Sequence, residues 1–259
     1  MTSELLEERD SGIVTLTINR PAKLNAMTKP LWLLLGETVR RLDADETVRC
    51  IVLRGAGGKA FGPGNDIGEF TTERSNADQA RAYGKIMHGT LNALVSCRHP
   101  LVALIQGICV GGGLEIAALC DLRICGEGSR FGAPINRLGL VMAYDELGAL
   151  YTLVGRAVAL EILLEGRIFG AAEAKEKGLV TRVVPDGKVE EEAYATARRI
   201  ADGAPLVARW HKKFVRRLER PEKLTPSEID EGFECFDTKD FQIGYKAFLD
   251  KVKPEFEGK

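Results

Sequence analysis

The segment that most constrains the fold is ICVGGGLEIAALCDLRI, residues 108–124, where three consecutive glycines lead into an apolar run with one early carboxylate. Glycine loses more conformational freedom on folding than any other residue, so glycines 111–113 indicate a place that requires bare backbone. The apolar stretch from Pro100 is typical of a buried strand, and the stretch after the glycines is typical of a short buried helix followed by a strand. The pattern predicts a strand that runs into a glycine turn.

Strand and helix signals alternate over the first part of the chain and predict an α/β fold with a mostly parallel sheet and crossover helices. The clearest signals are strands at 12–20, 50–55 and 180–185 and helices at 31–45, 155–166 and 170–180. From about residue 190 the strand signals fade. We therefore predict a core over residues 1–195 and a helical C-terminal segment over residues 196–259.

Charge and cysteine usage exclude several functional classes. The formal net charge of −1 gives no global basic field for nucleic acid or anionic membrane. The six cysteines have no CxxC spacing, and five lie in or beside apolar runs, so we interpret them as buried thiols of a reducing compartment and expect no metal site. The N-terminus is acidic, and no uninterrupted run of 18 apolar residues occurs. We predict a cytoplasmic protein that binds neither membrane nor nucleic acid.

Glycines 111–113 lie where a strand meets a helix, and the N–H groups of a first helical turn have no intrahelical partner. A ligand oxygen could accept these N–H groups directly, as in an oxyanion hole, although a tight turn packed on the sheet also explains the glycines. Glu115 favours the functional interpretation, because burial of a carboxylate is costly and raises its pKa toward the range useful for proton transfer. The alternative is an acid that merely favours the first helical turn.

A second glycine-rich loop, GAGGKAFGPGNDIGEF at 55–70, also follows a strand. Gly62 and Gly64 supply bare backbone there, and an oxyanion hole needs two donors, often from separate segments. Taken alone, this loop is explained equally well as an ordinary strand-to-helix connection in which Asp66 caps the helix.

Four stretches, in order, resemble the successive signatures of the crotonase (enoyl-CoA hydratase/isomerase) superfamily over roughly residues 12–186. They are TINRPAKLNAM, VRCIVLRGAGGKAFGPGNDIGEF, PLVALIQGICVGGGLEIAALCDLRICGEGSRFGAPINRLGL and LVGRAVALEILLEGRIFGAAEAKEKGLVTRVVP. The resemblance implies a crotonase-like spiral of ββα units with a helical C-terminal segment that mediates oligomerisation. It also implies a homotrimer or a dimer of trimers that binds acyl-CoA and needs no cofactor beyond the CoA moiety of its substrate.

The resemblance assigns the N–H groups of Asn65 and Gly112 to an oxyanion hole for the thioester oxygen, and Glu115 to one of two catalytic glutamates. Carried over in the same way, the substrate-binding residues are Lys23, Ala60, Gly64, Asp66, Ile67, Gly111, Ile135, Ala143, Tyr144 and Asp145. Lys212 or Lys213 is a weaker candidate for the CoA phosphates. The three histidines, His88, His99 and His211, have no metal-ligand spacing, and we assign them no catalytic role.

The chain departs from the family at the second glutamate, because FGAPINRLG places Ile135 where hydratases carry that acid. The next segment, VMAYDELG, replaces a glycine-rich one, so Asp145 or Glu146 could supply a substitute acid or base. Asp145 could equally cap the following helix, which we favour. We predict an enzyme of hydratase or isomerase type that hydrates crotonyl-CoA poorly, with a CoA-thioester hydrolase or decarboxylase, or a non-catalytic CoA- or RNA-binding member of the fold, as alternatives.

Overall fold

Two β-sheets organise the protein in a computed structural model that describes residues 3–259. The larger sheet has the strand order β1-β2-β3-β5-β7-β10 and the smaller one β4-β6-β8-β9, and only the pairs β1/β2 and β8/β9 are antiparallel. In the larger sheet Val52 of β3 pairs with Val102 of β5. The strands are β1 Leu5–Asp10, β2 Ile13–Ile18, β3 Cys50–Gly55, β4 Ala60–Gly62, β5 Leu101–Ile105, β6 Ile108–Val110, β7 Leu122–Gly126, β8 Arg130–Gly132, β9 Phe169–Gly170 and β10 Arg182–Val184.

Three successive ββα units connect the two sheets, which confirms the predicted fold. In each unit a strand of the larger sheet continues into a short strand of the smaller sheet and then into a helix, as in β3-β4-α3, β5-β6-α4 and β7-β8-α5. The helices are α1 Lys29–Asp43, α2 Phe70–Glu73, α3 Ala77–Ser96, α4 Gly112–Leu119, α5 Tyr144–Glu165, α6 Ala171–Glu176, α7 Val189–Ala201, α8 Pro205–Leu218, α9 Pro226–Asp230 and α10 Lys239–Asp250.

The single strand predicted before the glycine turn is wrong, because β5 and β6 belong to different sheets. The chain turns between them at Gly107, which has a φ of 67°. A Cβ at this position would lie 2.0 Å from the carbonyl oxygen of Lys59, so only glycine fits where the two sheets meet. This turn brings the following glycines, 111–113, onto the smaller sheet and beside β4.

The larger sheet is buried on both faces, so nearly every residue of β2 and β3 is buried rather than every second one. One face packs against α7 through its small residues Ala193, Ala197 and Ala201. The other face packs against the smaller sheet and the helices α1, α3 and α4. Five of the six cysteines are buried and Cys235 is half-buried, and all six are free thiols, largely as predicted.

The C-terminal segment is helical, as predicted. The predicted boundary between residues 195 and 196 falls inside α7, which packs on the sheet along its length. Beyond α7, helix α8 lies against the rest of the chain mainly through polar contacts, such as the ion pair of Arg209 with Glu46. An oligomerisation role for residues 196–259 stays a prediction.

Helix α5 has a largely exposed apolar surface. It is the one helix within residues 3–259 that is long and apolar enough to cross a bilayer by length and composition alone. A kink at Gly155, with a φ of 72°, divides it, and its first turn carries Asp145 and Glu146. These acids contact His88 of α3, so the first turn of the helix is held within the fold.

Candidate active site

Two glycine loops pack directly on each other at the start of α4. A Cβ on Gly113 would lie 2.2 Å from the carbonyl oxygen of Gly62, and a Cβ on Gly64 would lie 3.0 Å from the nitrogen of Gly112. Gly64 and Gly111 also have φ values of 108° and 51°, which residues with a Cβ rarely adopt. The glycines that we predicted from sequence as a ligand-binding corner therefore have a first, structural role, since they let the two loops approach.

The close approach leaves two backbone donors side by side. Within residues 3–259 the N–H groups of Asn65 and Gly112 form no hydrogen bond. The Asn65 side chain is held in place, because its Oδ1 accepts hydrogen bonds from Trp32 Nε1 at 2.6 Å and from the Tyr83 hydroxyl at 3.2 Å, and its Nδ2 faces Met87 Sδ at 3.7 Å. The contacts fix the orientation of the Asn65 peptide and leave its N–H available to an acceptor.

Glu115 lies one turn into α4, beside these donors, and is only 6% exposed. Its Oε2 is buried without a hydrogen-bond partner. Burial, and secondarily the negative charge of Glu146, raises the pKa of Glu115 to about 8, against a smaller opposing effect of Arg74. Near neutral pH this carboxyl group therefore keeps its proton and can act as an acid.

A second carboxylate close to Glu115 is held by a histidine. Glu146 Oε1 lies 2.9 Å from His88 Nε2, and Glu146 Oε2 accepts the N–H of Ala143 at 3.2 Å. The other ring nitrogen, His88 Nδ1, lies 3.1 Å from Asp145 Oδ2. The His88 ring therefore lies between the two carboxylates and fixes the position of the Glu146 carboxylate close to Glu115.

This geometry corrects our interpretation of the VMAYDELG segment. Asp145 does not cap α5, because Ala143 is the N-cap residue and Glu146 accepts its N–H. His88, to which the sequence assigned no role, is the residue that joins the two acids. The only signal in the sequence was a lone histidine on an apolar helix, which is more often structural. Its two partners lie 57 and 58 residues further along the chain.

Two other predicted substrate-binding residues, Ile135 and Tyr144, differ in how far they are buried. Ile135 lies half-buried in the 3-10 turn Pro134–Leu138 and packs against the main core. Tyr144 is 94% exposed and borders a groove of about 750 Å³ between α5 and α8, and its role in substrate binding stays a prediction. Tyr144 is the first residue of α5 and Glu146 is the third. Side chains two positions apart on a helix point in different directions, so an inward Glu146 is accompanied by an outward Tyr144.

Asp66 sits at the end of the second glycine loop and caps the 3-10 turn Ile67–Glu69, as the structural alternative predicted. Its Oδ1 accepts the N–H of Gly68 at 3.1 Å, and its Oδ2 pairs with Arg20 at 3.1 Å. Burial alone would raise the pKa of Asp66, but the Gly68 hydrogen bond and the Arg20 charge bring it below its ordinary value. The ionised carboxylate therefore fixes the loop that carries Asn65.

The remaining predicted substrate-binding residues, Lys23, Ala60 and Ile67, differ in exposure, and their role in binding stays a prediction. Lys23 is exposed at the end of a 3-10 turn, and Ile67 is 56% exposed. Ala60 is buried, and its carbonyl oxygen accepts Asn25 Nδ2 at 2.7 Å, which ties the Lys23 turn to β4. Lys212 is instead paired with Asp121 at 2.7 Å, and Lys213 with Glu231, so both of these lysines are occupied within the chain.

Comparison with known proteins identifies the family. A sequence-family model described as enoyl-CoA hydratase/isomerase matches residues 8–259. A crystal structure described as an enoyl-CoA hydratase/carnithine racemase from Magnetospirillum magneticum is 47% identical, with a TM-score of 0.98 over 100% of this chain and 97% of that one. A probable enoyl-CoA hydratase of Mycobacterium bovis is 33% identical over 99% of both chains. A short-chain-enoyl-CoA hydratase of Clostridium acetobutylicum is 30% identical over 98% of this chain and 97% of its own. The protein belongs to the enoyl-CoA hydratase/isomerase family, whose members act on acyl-CoA.

Proposed function

We propose that the protein adds water to, or moves, the double bond of an enoyl-CoA thioester. The thioester oxygen would accept the N–H groups of Asn65 and Gly112, which would stabilise the enolate formed at that oxygen. In hydration, Glu146 takes one proton from water, the hydroxyl oxygen bonds to C3, and Glu115 gives its proton to C2. A proton then returns from Glu146 to Glu115, so that one water is added and the enzyme is restored.

The observation that supports this proposal is the asymmetry of the two carboxyl groups. Glu115 is buried, lacks a partner for Oε2 and keeps its proton near neutral pH, whereas Glu146 is bound by two donors, His88 Nε2 and the N–H of Ala143. Two neighbouring carboxyl groups with different hydrogen-bond partners and burial can divide the roles of acid and base. A binding protein needs the two N–H groups but has no use for this pair.

Glu146 also changes what we expect of Ile135. The sequence predicts weak hydration of crotonyl-CoA, because Ile135 cannot transfer a proton. If Glu146 replaces the missing glutamate, hydration depends on Glu146, and the half-buried Ile135 only shapes the pocket. Isomerisation needs a single group that removes and returns a proton, so it stays possible with Glu115 alone.

The test is a panel of crotonyl-CoA, a 3-enoyl-CoA and a branched malonyl-CoA, followed by enoyl absorbance and by free-thiol release. We expect loss of absorbance with crotonyl-CoA, or its gain with the 3-enoyl thioester, without thiol release. Thiol release would instead indicate a hydrolase, and turnover of the malonyl thioester a decarboxylase. Silence across the panel together with tight CoA binding would contradict the proposal and favour a non-catalytic binding protein.

We also propose that the chain acts in the cytoplasm as a homotrimer or a dimer of trimers. The support is a set of large apolar side chains that the single chain leaves exposed on α5 and near the C-terminus: Tyr144 94%, Leu164 72%, Phe233 63%, Phe248 83% and Leu249 70%. Apolar surface of this extent usually marks an interface. Light scattering of the purified protein tests this, and a monomeric mass would contradict it.

A further inference from the structure

Arg74 is a cation without a counterion close to the candidate active site. Its guanidinium lies over the rings of Phe70, at 4.7 Å, and Tyr83, at 4.8 Å. Arg74 as a whole is half-buried, but its Nη1 is fully buried and has no hydrogen-bond partner, and Arg74 forms no ion pair with any residue from 3 to 259. A buried donor left without an acceptor is costly, so an unpaired guanidinium of this kind is prepared for an anionic ligand.

The position of Arg74 relative to the reacting groups follows from Tyr83. The Tyr83 ring carries Arg74 on its face, and its hydroxyl donates to Oδ1 of Asn65, whose N–H is one of the two proposed donors to the thioester oxygen. Arg74 is also close enough to act on the charge of Glu115. The guanidinium therefore lies close to both Glu115 and the proposed oxyanion hole.

The acids nearest to Arg74 in the chain are occupied by other groups. Glu69 Oε2 accepts the N–H of Lys29 at 2.9 Å and lies 3.2 Å from the Tyr83 hydroxyl oxygen. Glu73 pairs with Lys29 Nζ at 2.7 Å. The other two arginines with a buried unpartnered nitrogen, Arg54 and Arg209, lack a partner only at Nε and form ion pairs through their terminal nitrogens. Arg74 differs from them because none of its three nitrogens forms an ion pair within the described residues.

We propose that Arg74 binds a carboxylate carried by the acyl group, so that the preferred substrates are CoA thioesters of dicarboxylic acids. This inference rests on the proposed function, since it names the acyl class that the same site accepts. Aromatic rings against the guanidinium face leave its N–H edge for the ligand, and a planar guanidinium binds carboxylate through two parallel hydrogen bonds. The carboxylate would lie away from Glu146, whose negative charge would repel it.

The test measures binding by calorimetry, so that it does not depend on turnover. Saturated thioesters are compared in pairs of equal carbon number: succinyl- with butyryl-CoA, glutaryl- with pentanoyl-CoA, and adipyl- with hexanoyl-CoA. We expect at least one diacid to bind the wild-type protein 10-fold or more tightly than its partner. The variant Arg74→Met, which keeps an apolar stem over the rings, should lose this preference. Arg81→Met, an equal charge change at an exposed site that pairs with Asp78, should keep it.

Three outcomes would overturn the inference: no preference in any pair, a preference that survives in Arg74→Met, or an equal loss of affinity for both members of a pair. The last would mean that Arg74 only packs on the rings. Arg74→Lys, which keeps the charge, should retain part of the preference if the variant is folded by thermal melting. Crotonyl-CoA turnover on the same samples separates the two proposals. Turnover without a diacid preference overturns only this inference, and a preference without any enoyl-CoA turnover overturns only the proposed reaction.

Discussion

Glu115 and His99 are both buried titratable residues with unsatisfied side-chain atoms, and they lie in chemically different surroundings. Glu115 Oε2 and both ring nitrogens of His99 lack a hydrogen-bond partner within residues 3–259. Burial shifts both toward the neutral form, raising the pKa of Glu115 to about 8 and lowering the pKa of His99 to about 4. The two pKa values move in opposite directions, but burial is the main cause of both shifts.

What separates the two residues is what lies next to them. Glu115 follows the glycine turn in which the N–H of Gly112 is free, and a second carboxylate, Glu146, acts on it. His99 is followed by Pro100, and its charged neighbours are Arg209, Arg98 and Asp43. The two arginines pair with Glu46, and Asp43 accepts the N–H of Arg98. Burial of a charge-bearing group therefore does not define a site by itself. A site also needs approachable donors and a second group with which a proton can be exchanged.

A large effect should come from a methyl group placed between the two glycine loops. Gly113→Ala places a methyl group 2.2 Å from the carbonyl oxygen of Gly62, so the loops must separate and the two donors move apart. We expect enoyl-CoA turnover to fall by about 10²–10³-fold, the usual cost of losing one oxyanion-hole donor. Steady-state kinetics of the variant checks this.

The control for this change is Gly148→Ala in α5, where a new Cβ has no heavy atom within 4 Å. This variant should keep its turnover and gain slightly in stability, because alanine favours a helix more than glycine does. Wild-type turnover in Gly113→Ala would mean that the contact between the loops is unrelated to catalysis.

A smaller effect concerns the dependence of stability on pH at Glu115. An unfolded chain loses this proton near pH 4.5, whereas the folded protein keeps it up to about pH 8. The free energy of unfolding should therefore fall as the pH rises between these values. Glu115→Gln removes this pH dependence. The free energy of unfolding of the variant minus that of the wild type should therefore be about 2–4 kcal/mol larger at pH 8 than at pH 4.5. Denaturant unfolding at both pH values measures it, and parallel pH profiles would show that Glu115 is not buried as a neutral acid.

His99 should show the opposite pH dependence, with a slightly smaller amplitude. Its pKa is lowered from 6.5 to about 4, so the unfolded chain binds a proton first as the pH falls. The wild-type protein should lose about 2–3 kcal/mol of unfolding free energy between pH 6.5 and pH 4 through this residue. His99→Leu should reduce that slope and leave enoyl-CoA turnover at pH 7.5 unchanged. A large loss of turnover would contradict the contrast between the two regions.

The sequence was sufficient for the fold and for half of the site. The family resemblance implied the spiral of ββα units. The alternation of strand and helix signals predicted the α/β fold with a mostly parallel sheet, because apolar periodicity is a local property. The glycine turn and Glu115 were also found locally, since a carboxylate in an apolar run is conspicuous. The break between β5 and β6 was missed, because the two strands form one continuous apolar run and the reason for the turn at Gly107 is a contact with Lys59.

The other half of the site depends on contacts between distant segments, which no local pattern records. Asp145 resembled a helix cap, and only the packing of α3 against α5 shows that His88 joins it to Glu146. Arg74 resembled any surface arginine of a polar loop. Its importance comes from an unsatisfied nitrogen, and satisfaction of hydrogen bonds is a property of the folded structure.

The most direct test of the central claim is a kinetic double-mutant cycle on Glu115 and Glu146, with Asp145→Asn as the matched control. The substrate is the enoyl-CoA that the wild-type protein turns over fastest. If the two carboxyl groups act as one acid and base pair, Glu115→Gln and Glu146→Gln should each lower turnover by about 10²–10⁴-fold, and the double variant should fall little further. Asp145→Asn, whose partner His88 can still donate to Glu146, should stay within about 10-fold of the wild type. Turnover of either single glutamine variant within 10-fold of the wild type would contradict the claim.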